Sequence, residues 1–348
     1  MAKTLGRDST EVVIAAQWDR VLGESPTTLD DNFFECGGNS FKAARLAGNL
    51  RTALGRDVPL HIVFDRPTIR EQGEWFRGEG VKEGGEPAAR RLMTLKHDGD
   101  RTPLVLLPGG GGSLVGLGAF ASARFERPVL GLHARGLGTG ETPAKTIDEL
   151  SRDFADLLGE SGLPRRIHLA GFCGGGVFAY HLASVLAADG WDIVSVTLID
   201  ASLTAPDISH EEIVAERLAE IAGSAGETLD TSSPLSVDTV FRRLQASELD
   251  VLEQDADAFR RRLDVFASLW RIIVEYRPAA IPMPVKLFSP PGRVDEEIAE
   301  ARSLRDWCEL GMPRFQQVDV EEAEVRLASH EPTLDLVEAW LCEKEESA

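Results

Sequence analysis

Three glycine-bounded motifs hold the residues with chemical potential. The first, Gly171-Phe172-Cys173-Gly174-Gly175, lies between the apolar run Ile167 to Ala170 and the helix-like run Gly176 to Leu186. Its spacing is that of a nucleophile turn, G-x-S-x-G, with cysteine in the serine's place. A nucleophile on a sharp strand-to-helix turn stands above the sheet only where its neighbours are tiny, and Gly171, Gly174, Gly175 and Gly176 supply that room. Taken alone, the same spacing also suits a small buried cysteine beside a tight turn. The second motif is Pro108-Gly109-Gly110-Gly111-Gly112-Ser113. It is a flexible turn or a loop whose backbone N–H groups can approach a substrate, and it lacks the G-K-S/T ending of a nucleotide loop. The third, Gly37-Gly38-Asn39-Ser40, puts a hydroxyl at the start of a helical pattern. Unpaired N–H groups there favour a nearby phosphodiester, and serine is equally at home there as an ordinary N-cap.

The elements around these motifs fall into two groups. In residues 1–77 the periodicity predicts helices over Ser9 to Leu22, Ser40 to Leu54 and about Thr68 to Phe76, with a short apolar turn from Leu60 to Phe64 between Pro59 and Pro67. This is a small all-α unit of three longer helices and one short one. Residues 78–90, GEGVKEGGEPAAR from Gly78, have no periodic apolar positions and read as a flexible linker. Beyond it, the short apolar runs Leu104 to Leu107, Val129 to Leu132, Ile167 to Ala170, Ile193 to Ile199 and Val285 to Phe288 alternate with helical stretches. Strands alternating with helices predict an α/β domain with a mostly parallel sheet over residues 91–348. Between Asp200 and Ile281 the sequence is charged and helical, with patterns over Glu211 to Ile221, Val237 to Leu252 and Ala258 to Tyr276.

Composition narrows the partners. The chain has 348 residues, 43% of them hydrophobic, and a net charge of −20. The first 78 residues are nearly balanced, so the excess acid falls on the larger part, where it reads as a solubilising surface. That charge argues against a nucleic-acid or anionic-membrane partner. No run has the length of a membrane span or the apolar core of a secretory signal, which leads us to expect a soluble cytoplasmic protein. Cys36, Cys173, Cys308 and Cys342 have neither disulfide-framework nor metal-ligand spacing, so reduced thiols and no metal site are expected.

Two resemblances sharpen these readings. Asp31-Asn32-Phe33-Phe34-Glu35-Cys36-Gly37-Gly38-Asn39-Ser40 resembles the carrier signature D-x-F-F-x-x-G-G-x-S of nonribosomal peptide synthetases, over most of residues 9–77. It implies a four-helix peptidyl carrier whose Ser40 bears covalent 4'-phosphopantetheine, installed by a phosphopantetheinyl transferase. Gly131-Leu132-His133-Ala134-Arg135-Gly136-Leu137, then Leu169 through Gly176, then Ala179-Tyr180, are similar to the G-L-x-A-R-G-L and L-A-G-x-S-x-G-G blocks of type I thioesterase domains that end such synthetases. That likeness covers about residues 91–345. It implies an α/β-hydrolase fold, a lid over about residues 203–280, and upstream condensation and adenylation modules as partners.

The same resemblance assigns the remaining roles. It makes Cys173 the nucleophile, Asp200 the acid after the strand-like Val196 to Ile199, and His330 the base before the final helix, in the order nucleophile, acid, histidine. Gly109 and Gly174 become oxyanion donors. Asp295 is a second-ranked acid, and His133 and His181 are expected to have surface or packing roles. Relatives with cysteine at this position are associated with β-lactams or β-lactones, so the expected reaction is transfer of a peptidyl thioester from Ser40 to Cys173 and cyclising release of a small strained ring. The alternatives are hydrolytic or macrocyclising release, an engineered serine-to-cysteine variant of an ordinary serine thioesterase, or a non-catalytic docking module.

Overall fold

The computed structural model describes residues 9–23, 26–33, 36, 38, 40–55, 58, 62–63, 66–78, 91–114, 117–122, 124–203, 205, 207–224, 237–246, 256–290, 307–320 and 327–347. Its first unit contains α1 (Ser9–Leu22), α2 (Ser40–Leu54) and α3 (Ile69–Arg77). The expected short turn over Leu60 to Phe64 and all but the first residue of the expected linker lie largely or wholly outside the described residues.

The three helices meet on their apolar stripes. Ile14, Trp18 and Val21 of α1 are buried against Ala43, Leu46, Ala47 and Leu50 of α2 in one cluster. Trp18 meets Phe33 edge-on at 5.0 Å, and its indole N–H donates to Gln72 of α3 at 3.0 Å, so a large aromatic is buried without an orphan donor. The third helix begins one residue later than its periodicity suggests because Thr68 is its cap. The Thr68 hydroxyl accepts from the Glu71 N–H while Glu71 reaches back to the Thr68 N–H, and Gly78 closes the helix at φ 76°. Asp31 holds the loop before α2 through the N–H and hydroxyl groups of Thr27 and Thr28, which lower its carboxyl pKa to about 2.

The second unit is built on a seven-stranded sheet: β1 (Leu92–Lys96), β2 (Leu104–Leu107), β3 (Val129–Leu132), β4 (Arg166–Phe172), β5 (Asp192–Ile199), β6 (Val285–Ser289) and β7 (Phe315–Asp319), in spatial order 1-3-2-4-5-6-7. All neighbours are parallel except β1, which is antiparallel to β3. All four residues of β2 are buried, as expected of a parallel strand covered on both faces. Around the sheet lie α4 (Ile147–Glu160), α5 (Gly174–Ala188) and α9 (Glu331–Glu346); α6 (His210–Ser224), α7 (Val237–Ala246) and α8 (Ala256–Glu275) fill the insertion between β5 and β6. The insertion has a small core of its own, Leu218, Val240, Phe241, Phe259 and Leu263.

Strand order fixes where a ligand can sit. The chain leaves β2 for β3 on one side and returns to β4 on the other. In an open parallel sheet, this reversal opens a crevice beyond the strand C-termini. The loops that follow β2 and β4 are the glycine loop and the cysteine turn. Among the described residues, no helix is long and apolar enough to cross a membrane.

Candidate active site

Cys173 joins β4 directly to α5 with φ 53° and ψ −127°. Its N–H still donates to the Ile199 carbonyl at 2.9 Å, so the pairing with β5 continues up to the turn. Gly171 is obligatory for this geometry: a Cβ there would stand 2.1 Å from the carbonyl of Gly175. Gly175 faces the same restriction, with the carbonyl oxygens of Leu107 and Pro108 at 2.8 Å from its would-be Cβ. Crowding thus draws the glycine loop after β2 onto the turn after β4.

Cys173 is exposed, yet desolvation by the atoms packed around the turn, ahead of every other influence, raises its pKa. A hydrogen bond from the Gly174 N–H and the Arg217 charge work in the opposite direction, and the charges of Asp200 and Glu220 add to the rise. The balance favours the thiol over the thiolate.

Asp200 follows β5, its N–H donating to the Phe288 carbonyl at 2.8 Å, with φ 47°. Among the described residues, Cys173 and Asp200 are the two non-glycine positions with positive φ. Such backbone costs free energy and persists where surrounding structure imposes it, commonly at functional sites. Both strained positions lie at the C-terminal ends of neighbouring strands, and the Asp200 charge is felt at the thiol.

The glycine loop closes on itself through Gly112 N–H to the Gly109 carbonyl at 2.9 Å, and the Ala134 N–H ties it to the exit of β3 at 2.8 Å. A Cβ on Gly109 would lie 3.6 Å from the Phe172 carbonyl oxygen, and one on Gly174 would lie 3.5 Å from the Gly110 nitrogen. The expected donor pair, Gly109 and Gly174, therefore flanks the cysteine turn. The long helix α8 covers this floor: Ile273 abuts Gly174, Phe266 abuts Gly110 and Val265 abuts Gly112.

His330 caps the start of α9 after a short 3-10 turn, Leu327–Ser329. Its Nδ1 is 3.0 Å from the hydroxyl of the buried Thr333, and this is its hydrogen-bond partner among the described residues. The structure thus brings Cys173, Asp200, Gly109 and Gly174 together at the crevice and gives His330 a local partner in place of Asp200. Thr333 was not singled out by sequence, although its i+3 spacing from a helix-capping histidine is a readable signal. His133 lies 2.9 Å from the Met93 sulfur and His181 3.0 Å from Ser151, both packing contacts. Asp295 lies outside the described residues.

Ser40 is the first residue of α2. Two observations suit it to a phosphodiester: the first turn of α2 contains no acidic residue, and the chain approaches through Gly38, where a Cβ would stand 2.4 Å from Phe33. The helix N-terminus would hold the group through its unpaired N–H donors. Among the described residues, no group of three or more His, Cys, Asp or Glu side chains is placed to hold a metal.

Residues 102–327, more than half of the chain, match the family described as the thioesterase domain. The chain belongs to that family. Residues 12–76 match the phosphopantetheine attachment site, which implies covalent 4'-phosphopantetheine in this carrier–thioesterase chain. Curated relatives include the indigoidine synthase of Dickeya dadantii, 30% identical over 210 residues, covering 60% of this chain and 14% of the relative. The malpibaldin synthetase of Mortierella alpina is 29% identical over 204 residues, 58% of this chain and 4% of the relative. The dimodular nonribosomal peptide synthase of Bacillus subtilis is 28% identical over 196 residues, 56% of this chain and 8% of the relative. The chain therefore spans a small part of the relatives it matches. Among solved structures, a holo four-domain nonribosomal peptide synthetase bound to AMP and glycine matches 99% of this chain and 27% of its own, with TM-score 0.64 and 20% identity. The NocB thioesterase domain, in covalent complex with a fluorophosphonate nocardicin G analogue, matches 73% of this chain and 99% of its own, with TM-score 0.53 and 19% identity. The first of these shares the fold along nearly the whole chain, and the second shares that of the thioesterase domain, of the α/β-hydrolase type.

Proposed function

We propose that this carrier–thioesterase releases a peptidyl chain through an acyl enzyme on Cys173, with residues 1–77 as the carrier, 78–90 as the linker and 91–348 as the thioesterase. The observation that carries this reading is the strained backbone at Cys173 and Asp200, side by side at the crevice. Phosphopantetheine on Ser40, when present, supplies the thioester linkage and the reach between domains. His330 takes the thiol proton at Nε2, the nitrogen left open by the bond to Thr333. The Cys173 sulfur then attacks the acyl carbonyl, the Gly109 and Gly174 N–H groups hold the tetrahedral oxyanion, and the incoming thioester's sulfur departs with a proton. Asp200 stabilises the imidazolium formed in between.

The cysteine decides the second half. An acyl enzyme on serine is an oxoester, less reactive toward amines than the incoming thioester. On cysteine it remains a thioester, so the first transfer is close to isoenergetic and activation is retained. An internal amine or hydroxyl then attacks the carbonyl, its proton passes to His330, and the Cys173 thiolate leaves. This favours a demanding closure, such as a β-lactam or β-lactone, over hydrolysis, beneath a lid formed by α6, α7 and α8. Upstream condensation and adenylation modules deliver the peptide, and a phosphopantetheinyl transferase loads Ser40. The test is the mass of product released from a synthetic peptidyl-pantetheine. Loss of one water relative to the free acid is expected, and the free acid alone would contradict cyclisation.

A further inference from the structure

A cavity of about 320 Å³ opens between the start of α4, the middle of α5 and the end of α8, and none of the crevice residues lines it. Its volume is at the lower end of the range for ligand pockets, about 300–1,000 Å³. Ile147 and Ile272 supply apolar walls, and the polar lining includes Asp148, His181, Glu275 and Tyr276. Arg277 borders the cavity as well, but its guanidinium folds back on the carbonyls of Val274 and Tyr276, both at 2.7 Å.

The first sign of a ligand is Tyr276. It is only 9% exposed, and its hydroxyl has no hydrogen-bond partner among the described residues. Its ring meets His181, on the opposite wall, edge-on at 5.3 Å. A buried hydroxyl left unpaired costs free energy, which an occupant of the cavity would recover. Burial pushes the phenol pKa up, with Tyr180 and the Asp148 charge adding to the rise, so the group is neutral and the Asp148 carboxylate is near enough to be felt at its oxygen.

The second sign is the charge of the lining. His181 holds Ser151 at 3.0 Å through Nδ1 and Asp148 at 3.3 Å through Nε2. Burial keeps its pKa below the ordinary 6.5, against the pull of Asp148, so at neutral pH the ring is uncharged and the carboxylate's charge stands. The cation nearest Glu275 is Arg271, 3.9 Å away and itself bonded to Asp207 at 2.7 Å. We propose that this cavity binds a small primary ammonium, whose three N–H donors match the carboxylates of Asp148 and Glu275 and the hydroxyl oxygen of Tyr276, while its alkyl stem lies against Ile147 and Ile272. A metal ion matches less well, since among the described residues no group of three or more His, Cys, Asp or Glu side chains is placed to hold one. The ligand bridges the start of α4 to the end of α8, whose Ile273 rests on Gly174. The site stands whichever residue carries the acyl group.

Titration calorimetry of the full chain with n-butylammonium at neutral pH tests the site, with butyltrimethylammonium, of equal charge but without N–H donors, as the comparison. Saturable binding of one n-butylammonium per chain is expected, and none of butyltrimethylammonium. Tyr276→Phe should weaken binding about three- to tenfold and leave the thermal midpoint of the ligand-free chain unchanged or higher, because the hydroxyl has no protein partner to lose. Asp148→Asn should weaken it about tenfold or more. Absence of saturable binding, equal binding of the two cations, or unaltered affinity in Tyr276→Phe would each overturn the proposal. A lowered midpoint in ligand-free Tyr276→Phe would overturn it too, by showing that the hydroxyl serves the fold.

Discussion

Near the N-terminal end of β4, His168 is fully buried and both ring nitrogens are engaged, Nδ1 with Ser195 at 2.8 Å and Nε2 with Glu345 at 3.0 Å. At the C-terminal end of the same strand, Cys173 is open, bent into positive φ and set beside a second strained residue. The polar groups around His168 extend into a latch. Buried Arg127 donates to Glu338 of α9 at 2.9 Å, to the Thr102 carbonyl at 2.8 Å and to Glu345. Every member has a partner, so removing one leaves a buried charge exposed to its full desolvation cost. One strand thus carries a buried, fully paired end that anchors α9 and a strained, exposed end, and α9 begins at His330. Burial with complete pairing marks structure, whereas backbone strain is commonly found at functional sites.

If that contrast holds, His330→Ala should give the largest effect, lowering product release by about 10³-fold with little change in thermal stability, measured by single-turnover kinetics and calorimetry. At the other end the effect should appear in stability. Burial, ahead of the opposing Glu345 bond, holds His168 down at about 4, below the ordinary 6.5. The unfolded chain therefore binds a proton that the folded chain refuses as pH falls from 6.5 towards 4. Stability should be fully present above 6.5 and decline through that window by up to about 3 kcal/mol. Denaturant melts of the unaltered chain and His168→Gln across this range should converge as pH falls, and parallel curves would sink the assignment. The smallest effect is expected for Thr333→Val, about tenfold in kcat with KM unchanged, because it frees His330 Nδ1 without removing the base.

Much of this arrangement was legible in the sequence because its signals are local. Gly171 and Gly175 are required by contacts between consecutive loops, and Asp200 and His330 each adjoin a recognisable strand or helix. The unread features are long-range. The separation of 211 positions between Arg127 and Glu338 gives no periodic signal for their pairing. Nothing in the spacing says that Ile273 of α8 comes to rest on Gly174. β1 escaped notice as a five-residue strand ending in lysine, and its antiparallel direction depends on a partner some 40 positions away. His330 precedes the last helix, as its sequence context leads us to expect, while its bond to Thr333 follows from the capping geometry, which sequence order does not specify.

The central claim is that acyl transfer passes through Cys173, and covalent capture tests it most directly. The full chain, loaded at Ser40 with a non-cyclisable acyl-pantetheine, would be quenched in acid, digested and mapped by mass spectrometry. The predicted result is an acyl group on the Cys173 peptide that hydroxylamine removes and that is lost in Cys173→Ala. Acylation of Cys36, Cys308 or Cys342 in preference to Cys173, or product release by Cys173→Ala at the unaltered rate, would contradict it.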